Sequence, residues 1–288
     1  MTKVILFPSS FLNFREVDED LAEEYRAARL AGGFETIVFD YQAWFREQQI
    51  RLRHVPEREI TAVYRGWMMK PEQYALFYRE LLSQKIRLLT TPEMYESLHL
   101  FPRVYPELLP DTARMLTFPL HSEIDVRACL RAFGRFLVKD YVKSVKGSEF
   151  PAYFDENCSQ EAFNGWMELF YRYRGDLLTG GICIKEFLEL KRYEGRTNEY
   201  RVFYVNGAPI RISRNSGQEG KVAEPPTGRM QRAFIAVCSN IFRKCSIRHK
   251  TRTLPEIFRQ SPCFHDCFRR KEIASWTIEK VLQCVQSH

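Results

Sequence analysis

The sequence predicts an α+β fold, with an open α/β domain at the N-terminus and a strand-rich body after it. Three observations carry this expectation. Up to about residue 90, short apolar runs of strand length alternate with stretches of helical spacing. Beyond residue 135, strand-like runs follow one another, two of them separated by a hairpin signal. The chain has 288 residues, 45% hydrophobic and 14% aromatic, enough to bury a core and to divide into two modest domains.

Lys3 to Phe7 reads as a buried first strand, stopped by Pro8-Ser9-Ser10. Asp18 to Leu30 has helical spacing at Leu21, Tyr25 and Ala28, with acids early and Arg29 late, as the helix dipole favours. Gly32-Gly33 ends that helix, and Thr36 to Phe39 forms a second strand ending at Asp40. A strand–helix–strand unit predicts a right-handed parallel crossover. Thr61 to Arg65 is a third strand, followed by Gly66-Trp67-Met68-Met69. Pro71 opens a helix that runs to Leu82, and Ile86 to Leu89 is a fourth strand. In such a sheet, ligand groups gather at the carboxyl ends of the strands.

Residues 91–120 contain Pro92, Pro102, Pro106, Pro110 and Pro119, and read as a connector with short helical pieces. Asp125 to Phe133 is expected to be a helix, Arg135 to Lys139 a strand and Gln160 to Tyr173 a helix. Three strands follow, at Gly181 to Phe187, Glu199 to Val205 and Pro209 to Ser213, with Asn206-Gly207 as a two-residue hairpin turn. After Arg214 the pattern weakens into a polar Gly/Pro loop. Met230 to Phe242 then has helical spacing, and no clear period returns before Ile273 to Ile278.

No apolar run approaches the roughly 20 residues needed to cross a bilayer. The apolar run at the N-terminus is too short for the core of a signal peptide, so a cytoplasmic protein with reduced thiols and no membrane partner is expected. Charge is unevenly placed. Residues 227–288 hold 12 Lys and Arg against 4 Asp and Glu, a net +8, so the first 226 residues sum to about −1 of the chain's +7. Five of the eight cysteines also lie in that tail. The abrupt gain of cysteine and positive charge after residue 242 marks either a divergent terminus or a change of reading frame. Cys245, His249, Cys263, His265 and Cys267 invite a zinc reading, but no Cys-x-x-Cys pair occurs among them, and free side chains in a basic tail are the plainer reading.

Several residues bear on chemistry. Lys139 ends an apolar strand, with Lys143 and Lys146 in the turn beyond it. Such a lysine is either a solvated strand end or a phosphate ligand, because an ammonium entering a buried strand is costly unless an anion meets it. Ile182 to Leu190 looks like a buried strand leaving its sheet, where exposed backbone N–H and C=O groups suit the donor and acceptor edges of adenine. Glu199 and Arg201 share a strand face, with Arg211 across the turn. They form either an ordinary ladder of opposite charges or a polar wall that forks phosphate.

In order, these pieces resemble the ATP-grasp superfamily, and most closely its compact clade named for two arginines and a lysine. The residues that carry the resemblance are Val138-Lys139-Asp140 with its lysine-bearing loop, the hinge strand Lys185-Glu186-Phe187, and Glu199-Tyr200-Arg201-Val202-Phe203 leading to Gly207. Arg65-Gly66-Trp67 also looks like the clade's N-terminal domain. The clade tends to have arginine where this chain has Lys185. The resemblance spans about residues 1–215. It implies an N-terminal domain at 1–95, an ATP-grasp-like two-subdomain body at 96–242, and a terminal segment at 243–288 of uncertain match.

The resemblance further implies an ATP-dependent ligase that joins a carboxylate to an amine through an acyl phosphate, with small-molecule or peptide substrates. By that analogy Lys139 and Lys143 hold the α- and β-phosphates, and Glu186, Phe187 and Leu188 read adenine through the backbone. Glu199 meets ribose or the metal-bound phosphates, Arg201, Arg211 and Arg214 face the γ-phosphate, and Arg65 faces the second substrate. Mg²⁺ needs oxygen ligands late in the chain. Asp266 and Glu279 are the available echo, although the glycine-rich acidic ending of the clade does not follow them. Two alternatives stand beside this reading: a degenerate ATP-grasp protein that binds nucleotide without ligating, and a nucleic-acid binder acting through the basic residues 227–288.

Overall fold

The computed structural model describes residues 3–109, 112–145 and 148–190, and as backbone the strands at 192–193, 196–197, 200–205 and 208–214. The expectations for Lys146, Asn206-Gly207 and everything after Arg214 lie outside the described residues. Those that are described fall into two compact units, one up to Glu96 and one from Ser97 onward.

In the first unit, β1 (Lys3–Pro8), β2 (Phe34–Phe39), β3 (Ile60–Tyr64) and β4 (Ile86–Leu88) form a parallel sheet in the order β2-β1-β3-β4. The connections carry α1 (Ala22–Leu30), α2 (Tyr41–Glu47) and α3 (Pro71–Ser83). Leu6, Phe39, Ala62, Tyr74, Phe77, Leu81, Ile86 and Leu88 are buried together. The order in which strands are added reverses at β1, with β2 on one side of it and β3 on the other, and Ser9 is fully buried just beyond it. There its Oγ accepts the N–H of Tyr41 and donates to the carbonyl of Ser10. Helix α2 is not expected from the sequence. It is seven residues long, started by the Asp40 carboxylate accepting the Ala43 N–H, and it buries only Ala43 and Trp44.

Helix α4 (Pro92–His99) leads from one unit into the other, and α5 (Phe101–Leu108) follows. In the second unit, β5 (Met115–Phe118), β6 (Phe136–Asp140) and β7 (Ile182–Glu186) form an antiparallel sheet with β7 in the centre. Strand β5 lies inside the stretch read as a connector. Four residues bounded by proline-rich chain give too short an alternation to distinguish a strand. Helices α6 (Val126–Phe133) and α7 (Gln160–Arg174) are each started by a side-chain cap, from Asp125 and Ser159. Val126, Phe163, Met167 and Phe170 from these helices share a core with Phe136, Val138, Ile182 and Ile184 of the sheet. Beyond β7, β8 (Arg192–Tyr193) pairs with β9 (Arg196–Thr197), and β10 (Tyr200–Val205) pairs with β11 (Ala208–Arg214), both antiparallel.

Candidate nucleotide site

The three-stranded sheet has a core face and a second face, and the candidate chemistry lies on the second. Burial along β6 alternates: Phe136, Val138 and Asp140 point into the core, whereas Leu137 and Lys139 do not. The register sets Lys139 opposite Cys183 and Leu137 opposite Lys185, so Lys139 and Lys185 are diagonal neighbours on one face. Both ammonium groups lie over the ring of Phe101, with Nζ at 4.2 Å from its centroid for Lys185 and 5.9 Å for Lys139. Lys185 also donates to Thr112 Oγ1 at 3.1 Å.

Burial lowers the Lys185 pKa from its ordinary value, and the nearby charge of Lys139 lowers it further. The thiol of Cys183, between them on the sheet, is pushed up to about 12 by burial, so at neutral pH it is not a thiolate nucleophile. Two cations gathered in a half-desolvated place favour the arrival of a polyanion. Lys143 is exposed in the turn that follows β6. Sequence reasoning names Lys139 and Lys143 but gives Lys185 only its place in the hinge motif; the neighbour it has across β6 follows from register.

The hinge is braced by its side chains. Arg114 holds the Glu186 carboxylate bidentately, at 3.0 Å from Nε and 2.9 Å from Nη2, which lowers the Glu186 pKa. The ring of Phe187 lies 4.6 Å from that of Tyr153 and 5.4 Å from the guanidinium of Arg135, which in turn pairs with Glu189. The N–H groups of Glu186 and Phe187 donate to the carbonyls of Arg114 and Arg135. The N–H of Leu188 has no partner among the described residues, and its side chain is half exposed.

The remaining sequence-assigned residues are distributed as follows. Arg201 lies opposite Ser213, Arg211 opposite Phe203 and Arg214 opposite Tyr200. Strand alternation therefore sets positions 201 and 211 on one face of the hairpin and 214 on the other. Glu199, Asp266 and Glu279 lie outside the described residues, among which no group of three or more His, Cys, Asp or Glu could hold a metal ion. In the first unit, Arg65 follows β3, and its Nε donates to both carboxylate oxygens of Glu24, at 2.6 and 2.8 Å. Among the described residues no helix is long and apolar enough to cross a membrane.

Residues 129–242, which contain β6, β7 and the β10–β11 hairpin, match the ATP-grasp domain of family 3 in the clade named for two arginines and a lysine. No curated protein sequence matches the chain. Its fold is similar to that of D-cycloserine synthetase DcsG, with a TM-score of 0.54 at 15% identity, covering 87% of this chain and 83% of that one. It is similar to D-alanyl-alanine synthetase A from Vibrio cholerae O1 biovar eltor, with a TM-score of 0.51 at 12% identity, covering 85% and 81%. A RimK domain ATP-grasp protein from Sphaerobacter thermophilus gives 0.50 at 16%, covering 83% and 81%. Over residues 129–242 the chain matches the ATP-grasp superfamily, and its α+β fold is the ATP-grasp fold.

Proposed function

We propose that the protein is an ATP-dependent ligase that joins a carboxylate to an amine through an acyl phosphate, with a small molecule or a peptide as substrate. One observation carries the reading: Lys139 and Lys185 stand side by side over Phe101, on the sheet face of the segment that matches the ATP-grasp domain. In the proposed reaction a carboxylate oxygen of the substrate attacks the γ-phosphorus of ATP, and the bond to the bridging oxygen of ADP breaks. The amine then attacks the acyl carbon, inorganic phosphate leaves, and the ammonium proton passes to solvent.

Such a transfer gathers negative charge that fixed cations must meet. Lys139 and Lys143 take the α- and β-phosphates, and Arg201, Arg211 and Arg214 are assigned to the γ-phosphate and the acyl phosphate. Glu186 to Leu188 hold adenine, with the N–H of Leu188 as donor, and Glu199 meets ribose or the phosphates. Arg65 is assigned to the second substrate; its pairing with Glu24 means that a substrate carboxylate must compete for the guanidinium. Magnesium enters the proposal only through Asp266 and Glu279, and when bound it would neutralise phosphate charge.

ATP titration of the full chain against Lys139→Ala, with and without Mg²⁺, tests the site. A charge-assisted hydrogen bond contributes roughly 1.5–3 kcal/mol, so the variant should bind ATP about tenfold to a hundredfold more weakly. Unchanged affinity would remove the site as assigned. ADP release that depends on a carboxylate and an amine together tests the reaction. ATP binding without such release identifies a nucleotide-binding protein that does not ligate.

A further inference from the structure

Asp140 closes β6 on its core face, and its side chain has no exposed surface. A carboxylate there is costly without partners, and it has several. Arg174 Nε donates to Oδ2 at 2.8 Å from a side chain that is itself only 10% exposed. The N–H groups of Val142 and Lys143 donate to Oδ1 at 2.7 and 2.6 Å. The N–H of Asp140 donates in turn to the Lys143 carbonyl at 2.9 Å. A single carboxylate therefore closes the turn in which Lys143 is exposed.

The rest of the turn is held as closely. The Tyr141 N–H donates to the carbonyl of Thr179, and the Tyr141 carbonyl accepts the N–H of Phe101. The Tyr141 ring lies against Gly180 and Gly181, where a Cβ on Gly181 would come within 2.8 Å of it. Arg174 Nη2 reaches the carbonyl of Leu177 at 2.9 Å and so joins the end of α7 to the chain that enters β7.

Helix α7 buries Phe163, Met167, Phe170 and Arg174, a single stripe at helical spacing. An arginine as the fourth member of an apolar stripe is a sequence signal in its own right, because a guanidinium placed there requires a buried partner. A buried ion pair is a weak source of stability, since a well-packed apolar pair of the same volume does as well or better. What the charge supplies here is a fixed geometry for the turn.

We propose that Asp140 and Arg174 are positioning residues that hold Lys143 at the phosphates of the nucleotide. This rests on the nucleotide-binding reading above, and the experiment separates the two. ATP and adenosine are titrated against the full chain and against Lys143→Ala. If the unaltered chain binds no ATP, or if Lys143→Ala binds it equally well, the assignment of Lys143 fails and the proposal fails with it. Where Lys143→Ala is weaker, Asp140→Asn/Arg174→Met is compared with it; that double variant leaves no buried charge unpaired.

The expected result is roughly tenfold weaker ATP binding with adenosine affinity unchanged, and no further loss of ATP affinity when Lys143→Ala is added. Arg174→Lys, which keeps the ion pair but loses the bond to Leu177, should lie between the double variant and the unaltered chain. Equal losses for ATP and adenosine, losses that add to that of Lys143→Ala, or no loss at all would each overturn the proposal while leaving the nucleotide site standing. If the double variant does not fold, the same cycle with Arg174→Lys and Lys143→Ala decides between these outcomes.

Discussion

Lys185 occupies a place that penalises its charge in the absence of an anion. It is half buried, stands beside Lys139, and among the described residues is offset by the ring of Phe101 and the hydroxyl of Thr112. Its pKa in the folded chain lies below the ordinary lysine value, so between the two values the unfolded chain binds the extra proton. Stability of the nucleotide-free protein is therefore expected to rise with pH across that window and to level off above the ordinary value. Lys185→Met should flatten that rise and leave the thermal midpoint of the free protein no lower, while reducing the midpoint gained on adding ATP. Thermal unfolding at several alkaline pH values, with and without ATP, checks both; a variant that loses stability alone and gains as much as the parent from ATP removes Lys185 from the site. Lys139 is legible in the sequence because it ends an apolar strand with Lys143 and Lys146 in the turn beyond it. Lys185 is not, since it ends the apolar run Ile182 to Ile184, and only the long-range pairing of β6 with β7 makes the two lysines neighbours.

At the scale of elements, the hinge after β7 divides labour between side chain and backbone. Glu186 and Phe187 engage their side chains with Arg114, Arg135 and Tyr153, and in the proposed site the backbone near Leu188 meets the base. Removing the Phe187 ring forfeits an aromatic contact of roughly 0.5–1.5 kcal/mol and a cation–π contact of about 0.5–1 kcal/mol. Phe187→Ala should therefore weaken adenosine binding about fivefold to fiftyfold and leave inorganic tripolyphosphate binding unaltered. Competition of each ligand against a fluorescent ATP analogue measures the two; equal losses would show that the hinge does not read the base separately. The longer elements are readable from periodicity: β1, α3, α6 and α7 carry enough turns or alternations to reveal a face. Strand β5 and helix α2 are not, because each is short and is fixed by a neighbour, β5 by pairing with β7 and α2 by the Asp40 cap and the burial of Trp44.

At the scale of the whole molecule, the two units are separately furnished with cores. The parallel sheet has its own buried cluster, from Val4 to Leu88, extended by the stacked pair Tyr74 and Tyr95 at 3.9 Å. The Tyr95 hydroxyl donates to the Met69 carbonyl and accepts the Met69 N–H, tying α4 to the chain ahead of α3. A domain of about this size buries enough apolar surface to fold alone, although with a modest margin. Residues 1–100, expressed as a fragment that keeps α4 whole, should unfold in a single cooperative transition in urea. The slowest-exchanging amides should lie in β1 and β3, the central strands of the sheet. Lys139 and Lys185 are absent from that fragment, so ATP should neither raise its urea midpoint nor slow its exchange, whereas it should stabilise the full chain. A gradual transition, or protection confined to α3, would mean that the parallel sheet depends on the second unit for its structure.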